Sequence, residues 1–419
     1  MTIEPGVTFN AGTINVSSPD QLIIACGASF THTGEVLLTI ALGYNATNGR
    51  NGEYGEYRLI ASPVTSYLTV NSTGLVPGSD DDDYDYVDLY YFDQAAGDNV
   101  WINYKDVTNH FFNFDITKGY LYSNAQNVTG VFAGKTLPTN VDVTVNLEYV
   151  AGTPWAGWNL VGNPFTCMAY IDRGYYKIDG SGMAIASIEG NSLEVFEGVF
   201  VVATAEEDNP TVTFTTTQPQ PRANLTLNLS NDEVLIDRAI VRFDEGRQLP
   251  KFQLNANQSK VYIQQDGVDY AIVNATEMGE MPVSFKAERN DNYTLGFSSE
   301  NVGFNYLHLI DNMTGADVDL LATPSYSFKA KTTDYASRFK LVFATGNNTD
   351  DNFAFFSNGN FIISNEGNAT LQVIDVNGRI LKSESINGSA SVNVNAAAGV
   401  YMLRLVNGDN VKVQKVVIK

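Results

Sequence analysis

The chain is written in short alternating runs. Val, Ile, Thr, Tyr and Phe alternate with polar residues over about four to eight positions, and Gly, Asn, Asp or Pro closes nearly every run. Thr211-Val212-Thr213-Phe214, Lys260-Val261-Tyr262-Ile263 and Phe339-Lys340-Leu341-Val342-Phe343 are typical. A period of two puts apolar side chains on one face and polar ones on the other, which is the pattern of a half-buried strand. No long window carries helical periodicity. The pattern predicts an all-β chain of tandem antiparallel β-sandwich domains. The 419 residues admit two to four domains at roughly 150 residues each, and 44% hydrophobic residues suffice for their cores.

Punctuation places the boundaries. Gln218-Pro219-Gln220-Pro221 cannot lie in a central strand, because proline lacks the ladder donor. Gly346-Asn347-Asn348-Thr349-Asp350-Asp351-Asn352 is polar and turn-prone, and a softer break rich in Gly and Asn lies at Asn45 to Glu56. These divide the chain into 1–56, a sandwich over 57–217, a second over 222–345 and a last domain over 352–419. Asn10-Ala11-Gly12-Thr13-Ile14-Asn15-Val16 and Leu22-Ile23-Ile24-Ala25-Cys26-Gly27-Ala28 resemble rungs of a β-solenoid whose earlier turns are missing.

Charge excludes some partners. Lys and Arg number 25 against 47 Asp and Glu, a net −22, which disfavours nucleic acid and anionic membrane surfaces, since phosphate contact needs clustered cations. No apolar run of about 18 residues is present, so no transmembrane helix is expected. Met1 to Asp20 lacks the basic start and apolar stretch of a signal peptide. Either the protein is cytosolic or this is part of a longer secreted chain, and the abrupt start on strand-like text favours the second. Two cysteines, Cys26 and Cys167, cannot form a disulfide framework. They are either one bridge or two buried small apolar residues.

The last seventy residues carry the sharpest signal. Leu371-Gln372-Val373-Ile374-Asp375-Val376 reads as a strand, Asn377-Gly378 as a two-residue type I′ turn, and Arg379-Ile380-Leu381-Lys382-Ser383 as the returning strand. Gly399 to Val406 and Val411 to Lys419 pair across Asn407-Gly408. Val373-Ile374-Asp375-Val376-Asn377-Gly378-Arg379, Gly399-Val400-Tyr401-Met402-Leu403-Arg404 and the terminal Lys412 to Lys419 run resemble the C-terminal sorting domain of proteins exported by the type IX secretion system of Bacteroidetes. The resemblance covers about residues 353–419. It implies an Ig-like sandwich that is read by the outer-membrane translocon, often removed afterwards, with attachment to surface lipopolysaccharide. One departure is Phe356-Ser357-Asn358-Gly359-Asn360, where many members carry Pro-Asn-Pro. Trp158 to Phe165, Tyr57 to Val64 and Tyr306 to Leu321 are similar in arrangement to modules that precede such domains in large surface proteins. For recognition by the translocon, with an edge strand as one route, the residues of choice are Gly378, Arg379, Gly399, Tyr401 and Lys415. The glycines permit turns or close approach, and the two cations present charge.

Asp80, Asp81, Asp82, Asp83 and Asp85 form either a Ca²⁺ site or a solvated acidic loop; the spacing is not that of an EF-hand. No other cofactor is implied. Asp311, Asp317 and Asp319 fit ordinary turn chemistry. Trp155 and Trp158 offer faces for sugar stacking or serve as core, with Trp155 the better candidate for exposure after Pro154. His308, in a Leu-His-Leu alternation, points outward or is half-buried. No His-Glu-x-x-His, Gly-x-Ser-x-Gly or Walker A motif occurs, and three histidines fall in different proposed domains. The expectation is a non-catalytic stalk and export module of a secreted or cell-surface bacterial protein. The alternative is an adhesin module that binds a glycan or host protein, with or without calcium.

Overall fold

Alternation leaves each strand one apolar face, and the computed structural model buries those faces against each other. It describes residues 2–3, 7–11, 14–15, 23–24, 29–32, 36–42, 57–66, 74–76, 87–105, 113–124, 128–178, 183–252, 257–346 and 352–418. Among these the protein is all-β, with one short 3₁₀ turn, Gln94–Ala96, capped by the Asp93 carboxylate that accepts the Ala95 amide. Among the described residues no helix is long and apolar enough to cross a membrane. The chain divides into two compact units, Met1–Gln220 and Pro221–Lys419.

The first unit opens with parallel pairing. Thr2–Ile3 pairs with Ile23–Ile24, Thr8–Ala11 with Ser29–His32, and Ile14–Asn15 with Val36–Leu42. Partners are 21 positions apart (Thr2 to Ile23) or 22 (Ile14 to Val36), so successive turns of chain stack in register as solenoid rungs do. Val36–Leu42 then runs antiparallel to Val128–Thr136, which also pairs with Val64–Ser66. A sheet thus spans the soft break expected at 45–56, although residues 45–56 themselves lie outside those described.

Further along the unit, Trp158–Gly162, Gly198–Val202, Tyr175–Ile178 and Ala184–Ser187 make one antiparallel sheet, and Val143–Asn146, Thr211–Thr215 and Tyr170–Ile171 another. Phe165, Tyr175, Leu193, Val199, Val201 and Phe214 fill the core between them. The Trp158 to Phe165 motif is explained by packing. A Cβ on Gly162 would lie 2.4 Å from the Ala61 Cβ and 2.6 Å from the Lys118 carbonyl oxygen, so only glycine fits. Asn163, fully buried, donates to the carbonyls of Cys167 and Glu194 (both 2.9 Å) and accepts the Phe165 amide at 3.0 Å, which fixes the turn that drops Phe165 into the core.

In the second unit a long sheet runs in the order Ala316–Asp319, Phe304–Asp311, Phe339–Thr345, Met278–Lys286, Lys260–Gln265, Val268–Asn274, Val234–Arg242, Asn224–Asn231, Asp291–Glu300, Ser325–Ala330. Its two end strands follow each other in the chain, so the sheet rolls almost closed around one core that includes Leu227, Val283, Leu295, Leu309 and Leu341. One ladder, Val234–Arg242 with Val268–Asn274, is parallel; the rest are antiparallel. Two ion pairs are buried in this body. Lys251 Nζ lies 2.6 Å from Asp237 Oδ1, and Arg338 Nη2 lies 2.8 Å from Asp311 Oδ2.

The same unit ends in a small two-layer domain. Ala354–Ser357, Asn360–Ile363 and Ala390–Asn393 form one sheet. Ile380–Asn387, Asn368–Asp375, Gly399–Asn407 and Asn410–Ile418 form the other. Phe353, Phe361, Leu371, Val373, Leu403 and Ile418 close the core between the layers. The turns differ from expectation in detail. Only Gly378 of Asn377-Gly378 has positive φ (+79°), and the Gly378 amide donates to Asp375 O while the Asp375 amide donates to Arg379 O. This is a three-residue loop, a type I turn closed by a left-handed glycine, rather than a two-residue type I′ turn. The last hairpin turns one residue later than expected, with Asn407 paired to Asn410 across Gly408-Asp409. Asn358-Gly359 has φ of +48° and +80° between paired Ser357 and Asn360, as a type I′ turn requires, so the stretch that departs from Pro-Asn-Pro is a tight hairpin.

Candidate functional site

The two outer faces of the C-terminal sandwich have different fates. On the three-stranded sheet, Ile362 and Phe355 are cross-strand neighbours and pack on Tyr306, Val342 and Ala344 of the preceding body. Tyr306 hydrogen-bonds Ser391, Asn305 donates to Ser364 Oγ at 3.3 Å, and Lys340 donates to Asn358. Burial of Tyr306 pushes its hydroxyl up to about 12, so this contact is neutral at any physiological pH. His308 stacks on Tyr306 at 4.1 Å, and its Nδ1 lies 2.7 Å from Asp317.

The four-stranded sheet carries an open outer face. Register places Ser385, Thr370, Val406 and Val411 in one row, Ser383, Gln372, Arg404 and Val413 in the next, then Ile380, Ile374, Met402 and Lys415, with Val400 beside Val417 at the end. Ile380, Met402, Val411, Val413 and Val417 are all exposed. No carboxylate stands in these rows.

Both sheet edges are guarded. Lys382 pairs with Val373 and Glu384 with Leu371, so these two charges project from the core-facing side of the free Ile380–Asn387 edge, 3.3 Å from each other. Inward charges on an edge strand oppose strand addition. On the other edge, Gln414 Oε1 accepts the amides of Phe353 and Ala354 (both 2.7 Å), and its Nε2 donates to Ala354 O at 2.6 Å.

The residues singled out from sequence separate into different roles. Arg379 reaches back to Asp375 (Nη2 to Oδ2 2.7 Å) while its side chain remains 73% exposed. The Arg379 amide, ahead of its guanidinium and the Asn377 amide, holds the Asp375 carboxyl below the usual range. Tyr401 is buried, edge-on to Phe361, with its hydroxyl donating to Ala397 O at 2.7 Å. Gly399 starts its strand without positive φ, and a Cβ there would meet Tyr401 at an ordinary 3.8 Å. Lys415 is exposed opposite Met402. Gly378 and Arg379 thus sit together at one turn, while Lys415 stands on the open face.

Elsewhere, Trp158 is buried edge-on to Tyr176 and is core; Trp155 is half-buried, 6.1 Å from Phe92. Their loop is held by Gln94, a residue that its sequence neighbours do not single out. Its Nε2 donates to Glu148 O and Trp158 O, and its Oε1 accepts the amides of Val150 and Gly157. Asp80, Asp81, Asp82, Asp83 and Asp85 lie outside the described residues, as does Cys26; Cys167 is buried, its thiol donating to Met168 O at 3.4 Å. No cluster suited to a metal occurs among the described residues. Asp311 is more than a turn residue. Burial raises its carboxyl, but hydrogen bonds from Arg338, the Met313 amide and Tyr326 outweigh this and hold it below the usual range. The Arg338 guanidinium also lies over Phe328 and Phe339. A polar cleft of about 270 Å³ lies between Asn305, Ser364, Glu366, Asn407 and Lys412.

A small antiparallel sandwich, docked by one face and open on the other, thus ends the described part of an all-β chain. Residues 357–419 match the family model of the secretion system C-terminal sorting domain, the type IX signal, which implies a Bacteroidetes origin. The protein is therefore one exported to the cell surface or secreted, and its last domain interacts with the type IX machinery. Comparison with curated proteins found no match. Among solved structures the chain is similar to a biofilm associated protein BSP domain (8% identity, TM-score 0.17, 91% of this chain and 96% of that one). It is also similar to a β-glucuronidase from Ruminococcus gnavus (7% identity, TM-score 0.13, 90% and 44%). At these scores neither likeness carries an argument.

Proposed function

We infer that the chain is a non-catalytic spacer and export module, in which an all-β body carries the sorting domain that the type IX machinery reads. The observation that carries this reading is the matched domain at 357–419, folded as a sandwich against the body that precedes it. The buried ionisable groups support a structural role for the body. Asp311 is engaged by Arg338, Asp237 by Lys251 and Glu207 by Arg173, each in a pair that ties strands or loops together. Burial alone pulls Lys251 down and Asp237 up, and their mutual attraction opposes both shifts.

The test is export of the full chain, placed behind a signal peptide, in a type IX-competent host. With residues 353–419 removed, the protein stays periplasmic. Equal surface delivery of both forms would end the reading. The glycan-binding alternative keeps Trp155 and loses Trp158 to the core; a glycan array with and without chelator decides it, and binding that Trp155→Ala abolishes would favour it over the spacer reading.

A further inference from the structure

We propose that the type IX machinery reads the sorting domain through the open outer face of its four-stranded sheet, by docking an apolar protein surface that carries carboxylates. The proposal rests on the sorting reading above and names the surface and the chemistry of its partner. The outer face of the three-stranded sheet is covered by Tyr306, Val342 and Ala344. One sheet edge carries inward Lys382 and Glu384, and the other is bridged by Gln414. Edge-strand pairing is therefore opposed at both edges of the four-stranded sheet, and its outer face is the broad surface left.

That face has its own chemistry. Val400 pairs with Val417, Val406 with Val411 and Ile374 with Met402, so apolar side chains stand next to each other across strands instead of singly. The charges among them are Arg404 and Lys415, both positive. Residues 352–419 hold six Lys and Arg against four Asp and Glu, in a chain with 25 against 47. A basic, apolar face on the end of an acidic protein is complementary to an apolar patch bearing carboxylates.

Other occupants fit less well. Four strands about 4.8 Å apart and four rows deep give roughly 400 Å², against about 800 Å² per partner in a stable complex. Two copies face to face would therefore bury too little, and would oppose like charges. A bilayer is disfavoured because the face carries only two cations, fewer than the roughly four to eight that hold anionic headgroups, and no Trp or Tyr to sit among them. A small contact also suits a cargo that must be released.

The full chain behind a signal peptide tests this in a type IX-competent host. Two double variants, Met402→Glu with Val417→Glu and Arg404→Glu with Lys415→Glu, are expected to lower the exported fraction about tenfold each, with the thermal midpoint of the purified protein unchanged. If either fails to fold, Val413→Thr with Val417→Thr, close in shape, carries the test in its place. Wild-type export of folded face variants, beside loss of export on removing 353–419, overturns the face and leaves the sorting reading intact. Export without 353–419 removes both. Concentration-dependent self-association of the wild type that the variants abolish would assign the face to a second copy. Sedimentation with phosphatidylglycerol vesicles, lost in the variants, would assign it to a membrane. Either result overturns the proposal.

Discussion

Gln414, five residues from the C-terminus, holds Phe353, the first core residue of its domain: the side-chain carbonyl accepts the Phe353 and Ala354 amides at 2.7 Å each. The last strand thus satisfies the first without a ladder between them. Gln414→Leu leaves two amides unpaired and is expected to destabilise the domain by about 2 kcal/mol, measured by urea unfolding.

The Asp311–Arg338 pair gives a pH signature. The folded carboxyl titrates below its ordinary value of about 3.9, so its stabilisation is complete above that value and disappears as pH falls through the lower folded one. Asp311→Asn leaves Arg338 beside two rings with only Asp334 Oδ2, 3.6 Å away, as counter-charge, and should cost less than the about 3–5 kcal/mol of a fully orphaned buried charge at neutral pH. Urea midpoints at a series of acid pH values should fall more steeply for the wild type than for the variant.

Gln94 makes four hydrogen bonds that pin the Trp155 loop. Gln94→Leu should cost about 3 kcal/mol and turn Trp155 fluorescence toward that of a solvated indole. An unchanged emission maximum would contradict the clamp.

Two glycines at the C-terminal end should respond differently. Gly378→Ala imposes a side chain at φ +79° and should cost about 1 kcal/mol. Gly399→Ala meets only ordinary contacts and should be nearly neutral to stability. Differential scanning calorimetry of both variants checks the contrast.

Ile362→Asp places a charge among Tyr306, Val342 and Ala344. It should uncouple the sorting domain from the body, so that one calorimetric transition becomes two and proteolysis between residues 346 and 352 quickens. A single unaltered transition would refute the coupling.

The strands were legible because a two-residue period is local. Leu371 to Val376 and Gly399 to Val406 announce their buried faces without any knowledge of partners. The sorting domain was legible for the same reason, since its motifs are continuous in sequence. The roles of Gln94, Gln414 and Arg338 were not, because each has a decisive partner far off in sequence: Trp158 O 64 positions from Gln94, the Phe353 amide 61 from Gln414 and Asp311 27 from Arg338. Turn types were half legible. Asn-Gly announced a reversal at 377–378 and 407–408, but the hairpin register, which depends on pairing across the whole strand, moved both turns from the expected form.

The seam at Ile362 alters what the terminal domain is to its carrier. A label on a loose string can be tugged without disturbing the parcel, whereas this one is bolted to the rolled sheet by Tyr306, Val342 and Ala344. A grip on it becomes a handle, and torque applied there reaches the rolled sheet of 222–345 directly.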